Sequence, residues 1–341
     1  MRIGVLTAGG DCPGLNAVIR SVVHRAVADR GDEVIGFEDG FKGLLEGRYR
    51  MLDLNAVSGI LARGGTILGS ARLERGRLRE AAENCEQLLE RLKLDALIPI
   101  GGEGTLTAAR MLSDAGLPVV GVPKTIDNDI SSTDRTFGFD TAVGVATEAM
   151  DRLKTTAESH QRVMVVEVMG RHAGWIALES GMAAGAHGIC LPERPFDPAD
   201  LVKMVEARFA RGKKFAVICV AEGAHPAEGT MDYGKGEIDQ FGHERFRGIG
   251  TALAHELERR LGKEAKPVIL GHVQRGGVPT AYDRVLATRF GWHAVEAAHR
   301  GEFGKMTALR GTDIVMVPLA EAVTELKTVP KDRMDEAESV F

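Results

Sequence analysis

The sequence predicts an α/β protein in which mainly parallel sheets are flanked by helices and divided between two domains. Three observations predict this class. Most apolar runs are short and continuous instead of alternating, which is typical of strands buried on both faces. Glycine-rich turns follow these runs, and apolar residues at helical spacing follow the turns. The chain has 341 residues, which is enough for about two domains of ~150 residues each.

The first strand–turn–helix unit opens the chain. The run Ile3–Leu6 predicts a strand, and the turn Gly9-Gly10-Asp11 follows it. Pro13 stands where a first helical residue would, a position that proline tolerates well. Apolar residues from Leu15 to Val27 then recur at helical spacing. The pattern returns along the chain, and further strands are predicted at 96–100, 118–122, 162–168, 215–221 and 268–270.

The number of strand–helix units exceeds what one compact sheet usually holds, and this favours two domains. No linker rich in proline, glycine or serine marks a boundary. We expect one domain over residues 1–138 plus about 276–325, a second over 139–275, and a C-terminal tail over 326–341. Ligands of parallel sheets bind beyond the carboxyl ends of the strands. We expect the active site to lie in the cleft between the two domains.

Composition and charge exclude several classes of function. The net charge of −5 gives no basic surplus for nucleic acid or for an anionic membrane. No run approaches the roughly 18 apolar residues of a membrane span, and the N-terminal apolar stretch is too short for a signal peptide. The four cysteines form no CxxC pair and are expected to be reduced thiols of a cytoplasmic protein.

Two glycine turns are candidate phosphate sites. Glycines between a strand and a helix let backbone N–H groups approach a phosphate, and the helix N-terminus adds partial positive charge. The turns Gly9-Gly10 and Gly101-Gly102-Glu103-Gly104 both fit this description, although tight turns without a ligand have the same composition. The chain has no GxxxxGK[ST], HExxH or GxSxG motif, and the second turn lacks the third glycine of a dinucleotide fingerprint.

The segment Lys124–Asp129 has the residue types that phosphoryl transfer to an alcohol requires. Asp127 can take the hydroxyl proton, Asp129 can help to hold Mg²⁺, and Thr125 can donate a hydrogen bond to a phosphate. The cations that can neutralise the moving group are Lys124, Arg72 and Arg171. The alternative is an Asx-type turn in which the carboxylates bind local backbone N–H groups.

Polar residues after the other predicted strands indicate a second phosphate site. The candidate cations are Arg162, Lys266, His272 and Arg275, and Glu222 can accept hydrogen bonds from sugar hydroxyls. For each of these residues alone, an ordinary surface salt bridge is the alternative, and for Met169 it is core packing. Taken together, the turns favour a phosphorylated substrate beside a nucleotide.

Five ordered motifs resemble the 6-phosphofructokinase family over nearly the whole chain, from residue 3 to about residue 325. The motifs are Gly9-Gly10-Asp11-Cys12-Pro13-Gly14-Leu15-Asn16, Gly101-Gly102-Glu103-Gly104-Thr105, Pro123-Lys124-Thr125-Ile126-Asp127-Asn128-Asp129, Met169-Gly170-Arg171-His172 and Gly271-His272-Val273-Gln274-Arg275-Gly276-Gly277. The resemblance implies transfer of a phosphoryl group from ATP, with Mg²⁺, to the 1-hydroxyl of fructose 6-phosphate in glycolysis. It makes the first predicted domain the nucleotide-binding one and the second the sugar-phosphate-binding one.

The resemblance also implies roles for individual residues. Asp127 matches the proton acceptor, with Thr125 and Arg171 beside it as catalytic residues, and Glu103 matches the magnesium position. The nucleotide positions are Gly10, Ala71, Arg72, Gly101, Gly102, Glu103, Gly104 and Thr105. The sugar-phosphate positions are Thr125, Ile126, Asp127, Arg162, Met169, Gly170, Arg171, Glu222, Lys266, His272, Val273, Gln274 and Arg275. Arg162 and Lys266 match residues that a neighbouring subunit contributes, so a homodimer or homotetramer with shared active sites is expected.

Several residues depart from the family pattern. Glu103 replaces the usual aspartate at the magnesium position, and its longer side chain can still ligate Mg²⁺ directly or through water. Lys266 replaces the usual arginine and keeps the charge without the bidentate geometry. Ala108 and Leu73 differ from the pattern near the expected adenine site.

Gly104 and Lys124 bear on the phosphoryl donor. By the resemblance, pyrophosphate-dependent members have Asp at the position that matches 104 and Lys at the position that matches 124. Many bacterial ATP-dependent members have glycine at both positions. Gly104 with Lys124 is the mixed pattern of the mixed-substrate group. Glycine leaves room for the ATP α-phosphate, so ATP is the predicted donor and pyrophosphate the alternative. A lipid or NAD kinase would lack the segment 272–277, and a non-catalytic sugar-phosphate sensor would have no need of Asp127.

Overall fold

The computed structural model describes residues 1–71, 75–83, 85–233, 237–238, 244–245 and 248–339. Within these ranges the chain falls into two compact units. The first comprises Met1–Ile126, Ile130–Thr141 and Arg275–Leu326. The second comprises Asp127–Asp129, Ala142–Gln274 and Lys327–Phe341.

The first unit is built on one sheet, to which seven strands of the described residues contribute. They are β1 (Arg2–Ala8), β2 (Glu33–Phe37), β3 (Tyr49–Met51), β4 (Ala96–Gly101), β5 (Val120–Pro123), β12 (Lys305–Arg310) and β13 (Asp313–Pro318). Their spatial order is β13-β12-β5-β4-β1-β2-β3. The five central strands run parallel, and the two edge strands β3 and β13 pair antiparallel with their neighbours.

Helices connect these strands. They are α1 (Leu15–Val23), α2 (Phe41–Glu46), α3 (Arg75–Glu83), α4 (Cys85–Leu92), α5 (Glu103–Asp114), α10 (Ala281–His299) and α11 (Leu319–Ala322). A π-helical segment, His24–Asp29, continues α1. The long helix α6 (Phe139–His160) begins in the first unit and carries the chain into the second.

The second unit contains a smaller parallel sheet. Within the described part of the chain its strands are β6 (Val163–Val168), β7 (Gly188–Cys190), β8 (Ala216–Ala221) and β11 (Ala265–Ile269), in the order β11-β6-β8-β7. A short antiparallel pair, β9 (Glu237–Ile238) with β10 (Glu244–Arg245), follows β8 in the chain. The helices of this unit are α7 (Trp175–Ala184), α8 (Pro198–Ala210), α9 (Ile249–Leu261) and α12 (Lys331–Ser339).

The predicted class of fold is confirmed, and burial explains why the pattern was informative. Strands β4, β6 and β8 are buried at every residue, as the continuous apolar runs predict for parallel strands covered on both faces. In the first unit, Leu6, Phe37, Leu97 and Leu106 belong to one hydrophobic core. No helix within the described ranges is long and apolar enough to cross a membrane.

Some element boundaries differ from the predicted ones. Pro13 is not the first helical residue, because Gly14 at φ +111° precedes Leu15 and helix α1 starts two residues later than predicted. Strand β11 begins three residues before the predicted run, and its pattern of burial is mixed. It is an edge strand, so its sequence lacks the continuous apolar run of a central strand.

Candidate active site

Three turns of the first unit lie at one edge of its sheet. Strands β5, β4 and β1 are parallel neighbours, so their carboxyl ends share this edge. The turns that leave them begin at Gly9, Gly102 and Lys124. The sheet order therefore brings together two glycine turns and the first half of the Lys124–Asp129 segment, which stand far apart in the sequence.

The glycines of these turns are required by close approach and by backbone conformation. Gly9 has φ +79°, a left-handed conformation that glycine adopts without strain. A Cβ at Gly101 would lie 2.2 Å from Thr105 Oγ1, so only glycine fits there. Ser70 donates a hydrogen bond to Gly9 O at 2.6 Å, which fixes the chain next to Ala71 beside this turn.

Lys124 joins the turns at this edge. Its side chain is only 3% exposed, and its ammonium group donates to the carbonyl oxygen of Gly10. Its backbone N–H donates to Gly101 O at 2.9 Å. The guanidinium of Arg275 packs against Gly10, and its Nη1 donates to Asp11 O at 3.3 Å. Two cations are thus fixed at the first glycine turn.

The N-terminus of α5 can receive an anion. The helix has twelve residues and starts at Glu103, and no described side chain caps it at Gly102. The first N–H groups of a helix have no partner within the helix, and the helix dipole favours negative charge there. No described heavy atom lies within 4 Å of a Cβ placed at Gly104, so the space beside this first turn is open.

Glu103 fits the magnesium position that the sequence suggests. It is exposed at the start of α5, and its Oε1 accepts a hydrogen bond from Thr107 Oγ1 at 3.4 Å. Among the described residues no three His, Cys, Asp or Glu side chains are grouped as in an all-protein metal site. Mg²⁺ is usually held by one or two carboxylates together with substrate phosphates and water. A single exposed carboxylate beside a phosphate-binding turn is compatible with that mode of binding.

The Lys124–Asp129 segment is a buried turn. Thr125, Asp127 and Asn128 are 8%, 5% and 3% exposed. The hydroxyl of Thr136 donates to Thr125 O at 2.8 Å and holds the start of the turn. Asn128 has φ +53°, a left-handed conformation that asparagine tolerates better than most residues. The carboxylate of Asp127 is therefore carried on a backbone with little freedom.

In the second unit, the carboxyl ends of β11, β6 and β8 lie side by side. Gln274 is fully buried, its Oε1 accepts from Met169 N at 3.4 Å, and its Nε2 donates to Gly271 O at 3.1 Å. Glu222 Oε1 accepts from Arg171 N at 3.2 Å, where Arg171 has φ +50°. Backbone and side-chain hydrogen bonds thus hold the three turns of this edge together, while His272 and Val273 are exposed on a 3-10 helix, Gly271–Arg275.

Arg162 and Lys266 lie at the amino ends of the strands of this sheet, opposite the carboxyl ends described above. Arg162 immediately precedes β6, and Lys266 pairs with Met164 near the start of β11. Both bind Glu264, Lys266 Nζ at 2.8 Å. The two cations hold the pKa of Glu264 below its usual range, Lys266 having the larger effect. At about 3.3 Å per residue, the length of β6 separates Arg162 from Met169 by roughly 20 Å.

Twelve of the predicted site residues fall into three groups in the structure. Gly10, Gly101, Gly102, Thr105 and Lys124 meet at the edge of the first sheet. The second group meets at the carboxyl edge of the second sheet and contains Met169, Gly170, Arg171, Glu222 and Gln274. Arg162 and Lys266 form the third. Arg72 and Leu73 lie outside the described residues. Two residues that contact these turns, Ser70 and Lys327, were not predicted from the sequence, because no motif marks Ser70 and Lys327 lies in the predicted tail.

The comparison with protein families matches residues 2–298 to the family described as Phosphofructokinase. An ATP-dependent 6-phosphofructokinase 2 of Streptomyces coelicolor is 91% identical over the full length of both chains. An ATP-dependent 6-phosphofructokinase of Mycobacterium tuberculosis is 58% identical over the full length of both. A pyrophosphate–fructose 6-phosphate 1-phosphotransferase of Amycolatopsis methanolica is 59% identical, again over the full length of both.

Solved structures give the same relationship. The phosphofructokinase of Pichia pastoris in the T-state superposes with a TM-score of 0.81 at 34% identity. That match covers 94% of this chain and 35% of the yeast chain, so this chain spans about a third of the yeast protein. The pyrophosphate-dependent phosphofructokinase of Marinobacter aquaeolei superposes with a TM-score of 0.81 at 25% identity, covering 97% of this chain and 86% of the other. The fold, the five motifs and these relatives agree, and the chain belongs to the phosphofructokinase family.

Proposed function

We propose that this protein is an ATP-dependent 6-phosphofructokinase, which transfers the γ-phosphoryl group of ATP to the 1-hydroxyl of fructose 6-phosphate. The observation that carries the proposal is the buried turn Lys124–Asp129. This turn follows strand β5 and carries the carboxylate of Asp127, and the adjacent strand β4 and the next strand β1 both end in glycine turns of the phosphate-binding type. The full-length relatives named ATP-dependent 6-phosphofructokinase support the same activity.

In the proposed reaction Asp127 accepts the proton of the sugar 1-hydroxyl as the hydroxyl oxygen attacks the γ-phosphorus, while the bond from that phosphorus to the bridging oxygen of the β-phosphate breaks and ADP leaves. Thr125 donates a hydrogen bond to the transferred group, and Arg171 neutralises the charge that develops on it. The N–H groups at the start of α5 and the glycine turn at Gly10 bind the phosphates of the nucleotide. Met169, Glu222 and Gln274 orient the sugar phosphate at the edge of the second sheet.

Glu103 is the residue that would hold Mg²⁺, with the nucleotide phosphates as further ligands. When bound, the ion neutralises phosphate charge and orients the transferring group. Asp129 Oδ1 is buried without a hydrogen-bond partner among the described residues, so it is a second oxygen compatible with a cation or a metal-bound water.

A coupled assay on fructose 6-phosphate with ATP or pyrophosphate, each with and without Mg²⁺, tests this proposal. We expect turnover with ATP that requires Mg²⁺. Strong turnover with pyrophosphate and none with ATP would contradict it and would favour the second candidate, a pyrophosphate-dependent enzyme. That candidate has specific support, because Lys124 follows the pyrophosphate pattern and a relative with that name is 59% identical.

Gly104→Asp is expected to suppress the use of ATP. The open space at Gly104 admits a carboxylate without a steric clash among the described residues, so the variant should fold. The new charge would face the α-phosphate, and two like charges 4 Å apart repel by roughly 4 kcal/mol at an effective dielectric constant of 20. We therefore expect kcat/KM for ATP to fall by ~10- to 10³-fold, within that limit.

The affinity for fructose 6-phosphate should change little in Gly104→Asp. The matched control is Gly104→Ala, which adds a methyl group but no charge and should keep ATP turnover. The measurements are steady-state kinetics with varied ATP and the dissociation constant of fructose 6-phosphate. Equal losses in the alanine and aspartate variants would mean that space, not charge, is limiting at this position.

The position of Arg162 and Lys266 supports shared sites in a homo-oligomer. They lie roughly 20 Å from the edge where the other sugar-phosphate residues of the same chain meet. We infer that their charges complete the sugar-phosphate site of a second copy. The ion pairs with Glu264 keep the two cations at one place until a phosphate competes for them.

Hybrid oligomers test the shared sites. Arg162→Ala and Asp127→Ser are each expected to lose most turnover alone. Co-expressed, they should regain activity, because one site of a hybrid dimer combines the intact Asp127 of one copy with the intact Arg162 of the other. The control is Arg152→Ala, which removes an exposed arginine paired with Glu148 on α6. Hybrids that form, as shown by two affinity tags, and yet stay inactive would contradict the shared site.

A further inference from the structure

Lys327, in the predicted C-terminal tail, binds the Asp127–Asp129 turn directly. Its backbone N–H donates to Asp129 O at 2.9 Å, and its Nζ donates to Asn128 Oδ1 at 3.1 Å. The second bond spans 199 positions of sequence. Lys327 thus holds both residues that follow Asp127, including the one in the left-handed conformation.

Helix α7 and the loop between β7 and α8 in turn fix Lys327 and the nearby Val329. The indole Nε1 of Trp175, the first residue of α7, donates to Lys327 O at 2.9 Å, and Lys327 Nζ lies 5.6 Å from the centre of the indole ring. Glu193 accepts from Val329 N at 2.8 Å and also from Gly174 N at 2.9 Å. These contacts lie within the second unit, which contains Asp127–Asp129, α7 and the tail.

A second anchor lies further along the tail. Arg194 makes ion pairs with Asp335 and Glu338 of α12. Exposed ion pairs contribute little each, but with the bonds of Glu193 and Trp175 they fix the tail at several points. The tail is therefore a built part of the unit that carries Asp127, and Lys327 is the residue through which it reaches the catalytic turn.

We propose that Lys327 is a positioning residue of the phosphotransferase, which orients the Asp127 carboxylate through Asn128 and Asp129. This inference rests on the proposed role of Asp127. Asn128, next to the base Asp127, has a left-handed conformation, so the turn has other conformations accessible to it. The two hydrogen bonds from Lys327 select one of these conformations. The ammonium group adds positive charge beside a turn that contains two carboxylates.

The test compares Lys327→Met, Lys327→Arg and Lys331→Met in the full chain. Lys327→Met keeps the backbone bond and the length of the side chain but loses the bond to Asn128. We expect kcat to fall by ~10- to 100-fold with a much smaller change in KM for fructose 6-phosphate, because misplacement of a reacting group by about 1 Å has effects of that size. Lys327→Arg should recover most of the loss. Lys331→Met changes an exposed lysine of the same tail and should keep wild-type kcat.

Tryptophan fluorescence reports the contact separately from activity. The chain has two tryptophans, Trp175 and Trp292, so Trp292→Phe leaves Trp175 as the single reporter. In that background Lys327→Met should change the emission of Trp175, and Lys331→Met should not. Trp175→Phe removes the indole donor but keeps a ring, and it should lower kcat by a smaller factor than Lys327→Met does. If Lys327→Met does not fold, the kcat of Trp175→Phe is the deciding measurement.

Two results separate this inference from the proposed function. If Asp127→Ser keeps full turnover, the proposed role of Asp127 is wrong. If Asp127→Ser is inactive while folded Lys327→Met has wild-type kcat, the tail does not position the turn and this inference alone is overturned. A fall in kcat that Lys327→Arg does not recover would also overturn it, because a second donor at that place would then have no effect.

Discussion

Asp127→Ser is expected to lower kcat by ~10²–10⁴-fold, because general-base catalysis contributes about that much and serine cannot accept the hydroxyl proton as a carboxylate does. The affinity for fructose 6-phosphate should change little, since the proposed contacts of Arg171, Glu222 and Gln274 to the sugar phosphate remain. The measurements are kcat at saturating substrates and the dissociation constant of fructose 6-phosphate.

The control for Asp127→Ser is Asp134→Asn, in the same connecting segment. Asp134 is exposed, and its carboxylate accepts a hydrogen bond from Gly311 N at 2.7 Å. It should keep near wild-type turnover. Unchanged turnover in Asp127→Ser would contradict the role of Asp127 as base. Loss of sugar-phosphate binding in the same proportion as kcat would mean that its role is binding.

Asp283→Asn is expected to abolish a large pH dependence of stability. Asp283 is buried in α10, and its Oδ2 accepts from Thr141 N at 2.8 Å and Thr141 Oγ1 at 2.5 Å at the start of α6. Burial, helped by the negative charge of Asp140, raises the pKa of Asp283 from 3.8 to about 6, although the hydrogen bonds from Thr141 and Gly138 act in the lowering direction.

The sign follows from proton binding. Between about pH 4 and pH 6 the folded state binds this proton more tightly than the unfolded state, so the free energy of unfolding falls as the pH rises. The pKa of Asp283 is about two higher in the folded state than in the unfolded state, and this difference corresponds to about 3 kcal/mol in the free energy of unfolding. The wild-type protein should therefore lose about 3 kcal/mol relative to Asp283→Asn between pH 3.5 and pH 7, with most of the loss between pH 4 and pH 6.

Urea unfolding of both proteins at several pH values measures this difference. Asp151→Asn, which changes an exposed aspartate of α6, should follow the wild-type pH dependence. Parallel curves for wild type and Asp283→Asn would mean that the Asp283 carboxyl does not titrate in this range. The result matters for the site, because Asp283 joins the start of α10, a few residues after Arg275, to the start of α6.

The fold was largely predictable because its signals are local. Strands β1, β4, β6 and β8 lie where short continuous apolar runs predicted them, since strands covered on both faces need apolar residues at every position. The glycine turns were predictable for the same reason, because a left-handed backbone or a close approach limits the residue types allowed. Edge strand β11 was placed less well, because its mixed burial leaves no continuous apolar run.

The candidate site was predictable in composition but not in arrangement. The sequence and its resemblance named Lys124, Asp127, Arg171 and Gln274. The predicted strand over 162–168 already separated Arg162 from Met169, but only the pairing of β11 with β6 shows that Lys266 lies at the same end of the sheet as Arg162. That arrangement follows from the order and direction of strands that are distant in sequence. The residue types of Arg162 and Lys266 are those of phosphate ligands, but a residue type does not indicate at which end of a strand the residue lies.

The sequence by itself determined the class of fold, the strand–turn–helix units and the family, because burial, backbone conformation and motif spacing act over a few neighbouring residues. The tertiary structure alone decided which distant residues meet: Lys327 with Asn128, Asp283 with Thr141, and Lys124 with the first glycine turn. Such contacts depend on how sheets order their strands and where a tail returns. Hydrogen bonds across 100 to 200 positions leave no pattern in the residues between them.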